Sequence, residues 1–80
     1  MKYVYLLQGI SSPRERYIGI TDNLKRRLRE HSAGESPHTN KFRPWKIVVA
    51  IKFENDPKAC AFERYLKSGS GRAFAERHLW

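Results

Sequence analysis

The chain has 80 residues, 40% of them apolar, and its 16 Lys and Arg outnumber its 8 Asp and Glu to give a formal charge of +8. That length allows one domain at most, burying only about 60–65% of the surface exposed by its unfolded chain, which excludes a core plus a deep substrate cavity and points to a shallow surface groove. The cationic surplus favours a polyanionic partner through counterion release, without separating DNA from RNA, ribosome or acidic membrane.

Lys2 to Gln8 (KYVYLLQ) is rich in aromatic and β-branched residues and reads as a strand. Turn residues Gly9 to Pro13 follow, then a second strand over about Glu15 to Ile20. A short loop between two strands makes an antiparallel hairpin. Thr21 and Asp22 are expected helix caps, ahead of a helix over Asn23 to Ala33 that Gly34 ends. Leu24 and Leu28, four apart, give this helix its apolar face.

Glu35 to Arg43 is polar, contains Pro37 and reads as a loop. Lys46 to Glu54 (KIVVAIKFE) is the most apolar strand and is expected to be central. Asp56-Pro57 starts a second helix, with Asp56 as cap, that runs to about Lys67 and buries Ala59, Phe62 and Leu66. Ser68 to Gly71 stops it, and Arg72 to His78 adds a short last helix. The expected fold is α+β, in the order β-β-α-β-α-α: a three-stranded antiparallel sheet flanked by two main helices and a short C-terminal one, forming one domain over residues 1–80.

A single cysteine, Cys60, excludes an internal disulfide framework and suits a reducing compartment. Among apolar neighbours it reads as a small core residue, because reactive thiols need an electropositive, partly exposed setting. No Cys-x-x-Cys or His-Glu-x-x-His pattern points to zinc. No long apolar run follows Lys2, so neither a signal peptide nor a membrane span is expected, and the protein is expected to be cytoplasmic. Gly69-Ser70-Gly71 follows a helix, not a strand, so it is no phosphate-binding loop and no organic cofactor is expected.

Three groups of residues carry possible chemistry. Arg27 and His31 share one helix face beside Leu24 and Leu28, which would pin a guanidinium suited to a phosphate. The alternative is a solvated basic run made of Lys25, Arg26, Arg27 and Arg29. Tyr3 and Tyr5 point to one face of the first strand, and Tyr17 lies on its hairpin partner. A free phenol titrates near ~10, so a tyrosine base would need a cation close by; ordinary cross-strand packing explains the same residues. Glu63 lies at the margin of the second helix's apolar stripe. It suits Mg2+, which often needs only one or two protein carboxylates, or a helical ion pair with Lys67.

In chain order, Tyr5, then Tyr17-Ile18-Gly19 twelve residues on, then Asn23-Leu24, Arg27 and His31 resemble the signature of the GIY-YIG nucleases. The second block is intact, whereas Tyr3-Val4-Tyr5 keeps only the last tyrosine of the first block. Glu63 falls where that family carries a metal-binding glutamate, and the segments TNKFRPW (39–45) and LKSGSGRA (66–73) are similar to small stand-alone bacterial members.

The resemblance implies hydrolysis of DNA phosphodiester bonds with one divalent metal, Mg2+ or Mn2+, held by Glu63. It implies that Arg27 neutralises charge on the phosphate and that Tyr5 or Tyr17 orients or deprotonates the attacking water, with His31 assisting. Lys25, Arg26, Arg29, Lys41 and Arg43 would form a basic rim binding DNA. His38 and Thr39 fall where some relatives carry a further site residue, while His78 reads as an ordinary surface histidine. Branched, flapped or damaged DNA in repair or recombination is the expected substrate, with selectivity from DNA shape, a homodimer or a partner protein. The competing readings are a non-catalytic nucleic-acid-binding module and a partner-docking subunit of the same fold.

Overall fold

A computed structural model describes residues 1–34 and 43–80. The expected element order is observed: β1 (Lys2–Gly9), β2 (Arg16–Thr21), α1 (Leu24–Ser32), β3 (Trp45–Phe53), α2 (Asp56–Leu66) and α3 (Gly69–His78). Positions 35–42 of the expected loop, including Lys41, His38 and Thr39, lie outside the described residues. Among the described residues, no helix is long and apolar enough to cross a membrane.

The three strands form one antiparallel sheet in the order β2-β1-β3, so the central strand is β1, not the more apolar β3. Coverage of both sheet faces decides this, not hydropathy alone. Val4, Tyr5, Leu6 and Leu7 are all at most 2% exposed, because alternate side chains of β1 enter separate cores. On β3, Lys46, Ala50 and Lys52 remain exposed, as befits an edge strand with charged residues along it.

Val4 and Leu6 face α2 and α3 in a core with Ala59, Leu66 and Ala75. Tyr5 and Leu7 enter a second core with Trp45, Tyr17, Ile47 and α1's Leu24 and Leu28. The register steps between Leu6↔Val49 and Leu7↔Ile47. This bulge leaves Val48 unpaired, so that Val49 serves one core and Ile47 the other.

The helix ends correct three local expectations. Asn23, not Thr21 or Asp22, caps α1 by accepting from the Arg26 backbone N–H at 3.0 Å. Thr21 instead accepts from Asn23 N at 3.1 Å, and Asp22 pairs with Arg26 at 3.1 Å. Asn55, not Asp56, caps α2, leaving Asp56 in the first turn, where its charge favours the helix dipole. At the other end of α1, Gly34 adopts φ 80°, the left-handed conformation that suits a residue just past a helix.

The third correction concerns Ser68 to Gly71, which open α3 as well as ending α2. Ser68 Oγ donates to Tyr65 O at 2.6 Å and accepts from Gly71 N at 3.2 Å. A Cβ on Gly71 would lie 1.7 Å from the Tyr65 carbonyl oxygen, so only glycine permits so tight a junction between the helices. Phe62, Phe53, Tyr65 and Phe74 then pack as a chain of rings over that junction.

Candidate active site

The α1 face of the sheet brings together four residues expected to carry chemistry. Tyr5 rises from the central strand and Tyr17 from its neighbour; the register sets Tyr5 opposite Gly19 and Tyr17 opposite Leu7. A Cβ at position 19 would lie 2.4 Å from Tyr5 Oη and 2.9 Å from Tyr17 Cε1. Gly19 is therefore the floor on which both rings rest, a role for the Tyr-Ile-Gly block that its sequence alone does not explain.

From α1, His31 and Arg27 close on the same phenol. Tyr5 Oη lies 3.0 Å from His31 Nε2 and accepts from Arg27 Nε at 3.3 Å. Both contacts are satisfied when Tyr5 donates its own proton to Nε2 of a neutral imidazole. The His31 ring also lies edge-on to Tyr5, and its centroid is 4.9 Å from that of Tyr17. His31 is fully buried. Burial, and then the nearby Arg27 charge, lower its pKa to about 4, so it is neutral at physiological pH. Tyr5 is 2% exposed, and burial raises its phenol to about 12 against the opposing pull of Arg27.

Arg27 is the half-exposed end of this network. Its Nη1 donates to Glu30 Oε1 at 2.9 Å. That bond, with smaller support from Tyr5, raises an already high pKa further. The guanidinium is thus held by a carboxylate on one side and a buried phenol on the other, while Tyr17 stays partly open beside them. Glu30 is the residue that sequence reasoning missed; its signal is the i,i+3 spacing from Arg27 on one helix face.

Glu63 is not part of that hydrogen-bonded cluster. It stands on α2, the helix packed against the other sheet face, with its side chain 15% exposed and its carboxylate paired with Lys67. This is the helical pair that the spacing allowed. Lys67 in turn borders a cleft that also includes Tyr17, so the two regions meet around the β2 edge.

Among the described residues, no group of three or more His, Cys, Asp or Glu could enclose a metal ion. A lone carboxylate fits an ion that keeps most of its waters, as Mg2+ does, and not one caged by protein donors. Of the expected rim, Lys25, Arg26 and Arg29 are exposed on α1, with Arg26 paired to Asp22. Arg43 is also exposed and donates to Ala33 O at 2.9 Å, closing the end of α1. His78 packs against Phe74, and Cys60 is only partly buried.

The sequence model described as "GIY-YIG catalytic domain" matches residues 1–76. The structure-specific endonuclease subunit SLX1 of Candida dubliniensis is 39% identical over 83 residues, covering 95% of this chain; the chain spans only 28% of that protein. A UPF0213 protein of Natronomonas pharaonis is 37% identical over 76 residues, covering 94% of this chain and 86% of the relative. The solution structure of a UPF0213 protein from Bacillus halodurans superposes with a TM-score of 0.56 at 27% identity, covering 95% of this chain and 81% of that one. The family match and the folded arrangement of its signature residues lead to one conclusion: the chain belongs to the GIY-YIG family.

Proposed function

We propose that this protein is an endonuclease that hydrolyses DNA phosphodiester bonds with the help of one divalent cation. The observation that carries the reading is Arg27 fixed between Glu30 and Tyr5 beside the partly open Tyr17. A guanidinium held in place can meet charge developing on a phosphate without first reorganising, which is the most effective form of electrostatic catalysis. The phosphate is placed against the free edge of Arg27, and the Tyr17 phenol orients the water that attacks phosphorus. As the new P–O bond forms, the attacking water gives up a proton to solvent, and the bond to the leaving oxygen breaks on the opposite side, that oxygen taking a proton from water in turn.

Tyr5 and His31 act one step behind, since both are buried and neutral. Tyr5 anchors Arg27, and the neutral His31 holds Tyr5 and flanks Tyr17. Glu63, once released from Lys67, would hold Mg2+ or Mn2+, which supplies Lewis-acid stabilisation of the leaving oxygen. Lys25, Arg26 and Arg29 draw the polyanion towards this face. The relatives named as structure-specific endonuclease subunits support selection of DNA by its structure and a partner protein as a source of that selectivity; branched or flapped DNA in repair is the substrate we take this to mean.

The test is cleavage of supercoiled plasmid and of a labelled flap in Mg2+, Mn2+ or EDTA. Arg27→Ala and Glu63→Gln run beside the wild type, with folding followed by circular dichroism. The expected result is ion-dependent cleavage that falls by about 10^2–10^3-fold in folded Arg27→Ala and is lost in Glu63→Gln. Salt-sensitive binding with no cleavage of any substrate would reject the enzyme in favour of a binding module.

A further inference from the structure

A cleft of about 560 Å3 lies where the β2 edge meets α2 and α3. Its volume is within the ~300–1,000 Å3 range of sites for small organic groups. Tyr17 borders it, as do Arg16, Lys67, Arg72, Glu76 and Trp80. Arg16 is held in place here: Nη1 meets Glu76 Oε2 at 2.8 Å, and its guanidinium carbon lies 4.7 Å from the Trp80 ring centroid. Trp80 is itself tied down, its backbone N–H donating to Ala75 O at 2.9 Å while its side chain packs on the core.

The cleft therefore combines a guanidinium–indole pair with two exposed cations at its rim, Arg72 and the Lys67 that also pairs with Glu63. Glu76, the carboxylate within it, is engaged by Arg16, so the surrounding charge is positive. Aromatic and guanidinium planes with a cationic rim are the chemistry that receives a nucleotide, the base by stacking and the phosphate by charge. Within a base-paired duplex the base faces are covered by neighbouring pairs and are not offered to such a slot.

We propose that this cleft binds one unpaired nucleotide of the DNA strand, its base against Trp80 and Arg16 and its phosphate on Arg72 and Lys67. Because Tyr17 borders both the cleft and the Arg27 cluster, the unpaired nucleotide lies next to the bond that is cut. The protein then selects junctions between paired and unpaired DNA. The position of the cut rests on the nuclease reading; the binding of an unpaired base does not.

The test is equilibrium binding in EDTA, at fixed salt, of a labelled blunt duplex and of the same duplex with a short single-stranded overhang. The overhang is expected to bind roughly tenfold more tightly, the value of one stacked base. It should also quench tryptophan emission, whereas the blunt duplex should not. Trp80→Leu keeps an apolar side chain but loses the ring, and should abolish the preference. Trp80→Phe should keep most of the preference and lose most of the quenching.

Arg72→Ala changes an exposed side chain, so folding is not at stake; overhang affinity should fall and its salt dependence weaken by about one ion. Equal wild-type affinity for both DNAs, or a preference surviving in folded Trp80→Leu, would overturn the proposal. Overhang preference without cleavage would sink the nuclease reading and keep the cleft, and cleavage without overhang preference would do the reverse.

Discussion

The two faces of the sheet each bury an apolar core, but only one of them also buries a polar network. Beneath α2 and α3 the core is apolar: Val4, Leu6, Ala59, Leu66 and Ala75, none more than 1% exposed, with a ring of aromatics around them. Beneath α1 a buried histidine and a buried tyrosine bond to each other, and a half-exposed arginine extends the network outward. Apolar burial is favourable wherever it occurs, whereas buried polar groups are tolerated only when every partner is present. One face is therefore expected to supply stability that lets the other hold a buried polar network in a costly arrangement.

The sharpest way to break this contrast is Leu66→Ala, on the apolar face. Removing a fully buried leucine should cost about 2–5 kcal/mol, a large share of the total for so small a domain. Urea unfolding checks it, and a loss below about 1 kcal/mol would mean that this face is not the main source of stability. Gly19→Ala probes the α1 face by overfilling it. Its new methyl meets the Tyr5 phenol, so about 1–3 kcal/mol should be lost, and cleavage should fall by more than the unfolded fraction explains.

Acid should separate the faces further. His31 is held near 4 against its ordinary 6.5, so the unfolded chain takes up the proton first, and stability falls as pH drops. The contribution is complete above pH 6.5 and lost progressively towards pH 4. Between about pH 8 and about pH 5 the loss should be about 2 kcal/mol, and His31→Gln should flatten it. Parallel pH profiles for the two proteins would show that the imidazole is not held neutral. The smallest effect belongs to the surface. Arg26→Ala breaks exposed pairs with Asp22 and Glu30, and thermal melting should show a change within about 0.5 kcal/mol, with DNA binding weakened mainly at low salt.

Much of this was legible along the chain. Aromatic and β-branched residues marked β1, the turn residues Gly9 to Pro13 set off β2, and the apolar spacing of Leu24 and Leu28 marked α1. The family resemblance pointed to Tyr5, Tyr17, Arg27 and His31, which fold into one cluster. The expected centrality of β3 failed because an apolar run reports total hydrophobicity and not how many faces are covered. The helix α3 starts earlier than glycines as helix breakers predict, because Ser68 supplies the cap that lets a helix begin among them.

By itself, then, the sequence determined the order of elements, the cationic surface and the residue types available for phosphate chemistry. Those depend on periodicity, composition and neighbours within a turn or a pleat. Only the tertiary structure decided that Tyr5 is sealed while Tyr17 stays partly open, that Glu30 steadies Arg27, and that Arg16 lies over the Trp80 ring in a cleft. The decisive contacts join residues 22, 26 and 60 positions apart, as in Arg27–Tyr5, Tyr5–His31 and Arg16–Glu76. Burial, and with it the protonation of a phenol or an imidazole, is a property of such distant contacts, created when the two helical layers close on the sheet.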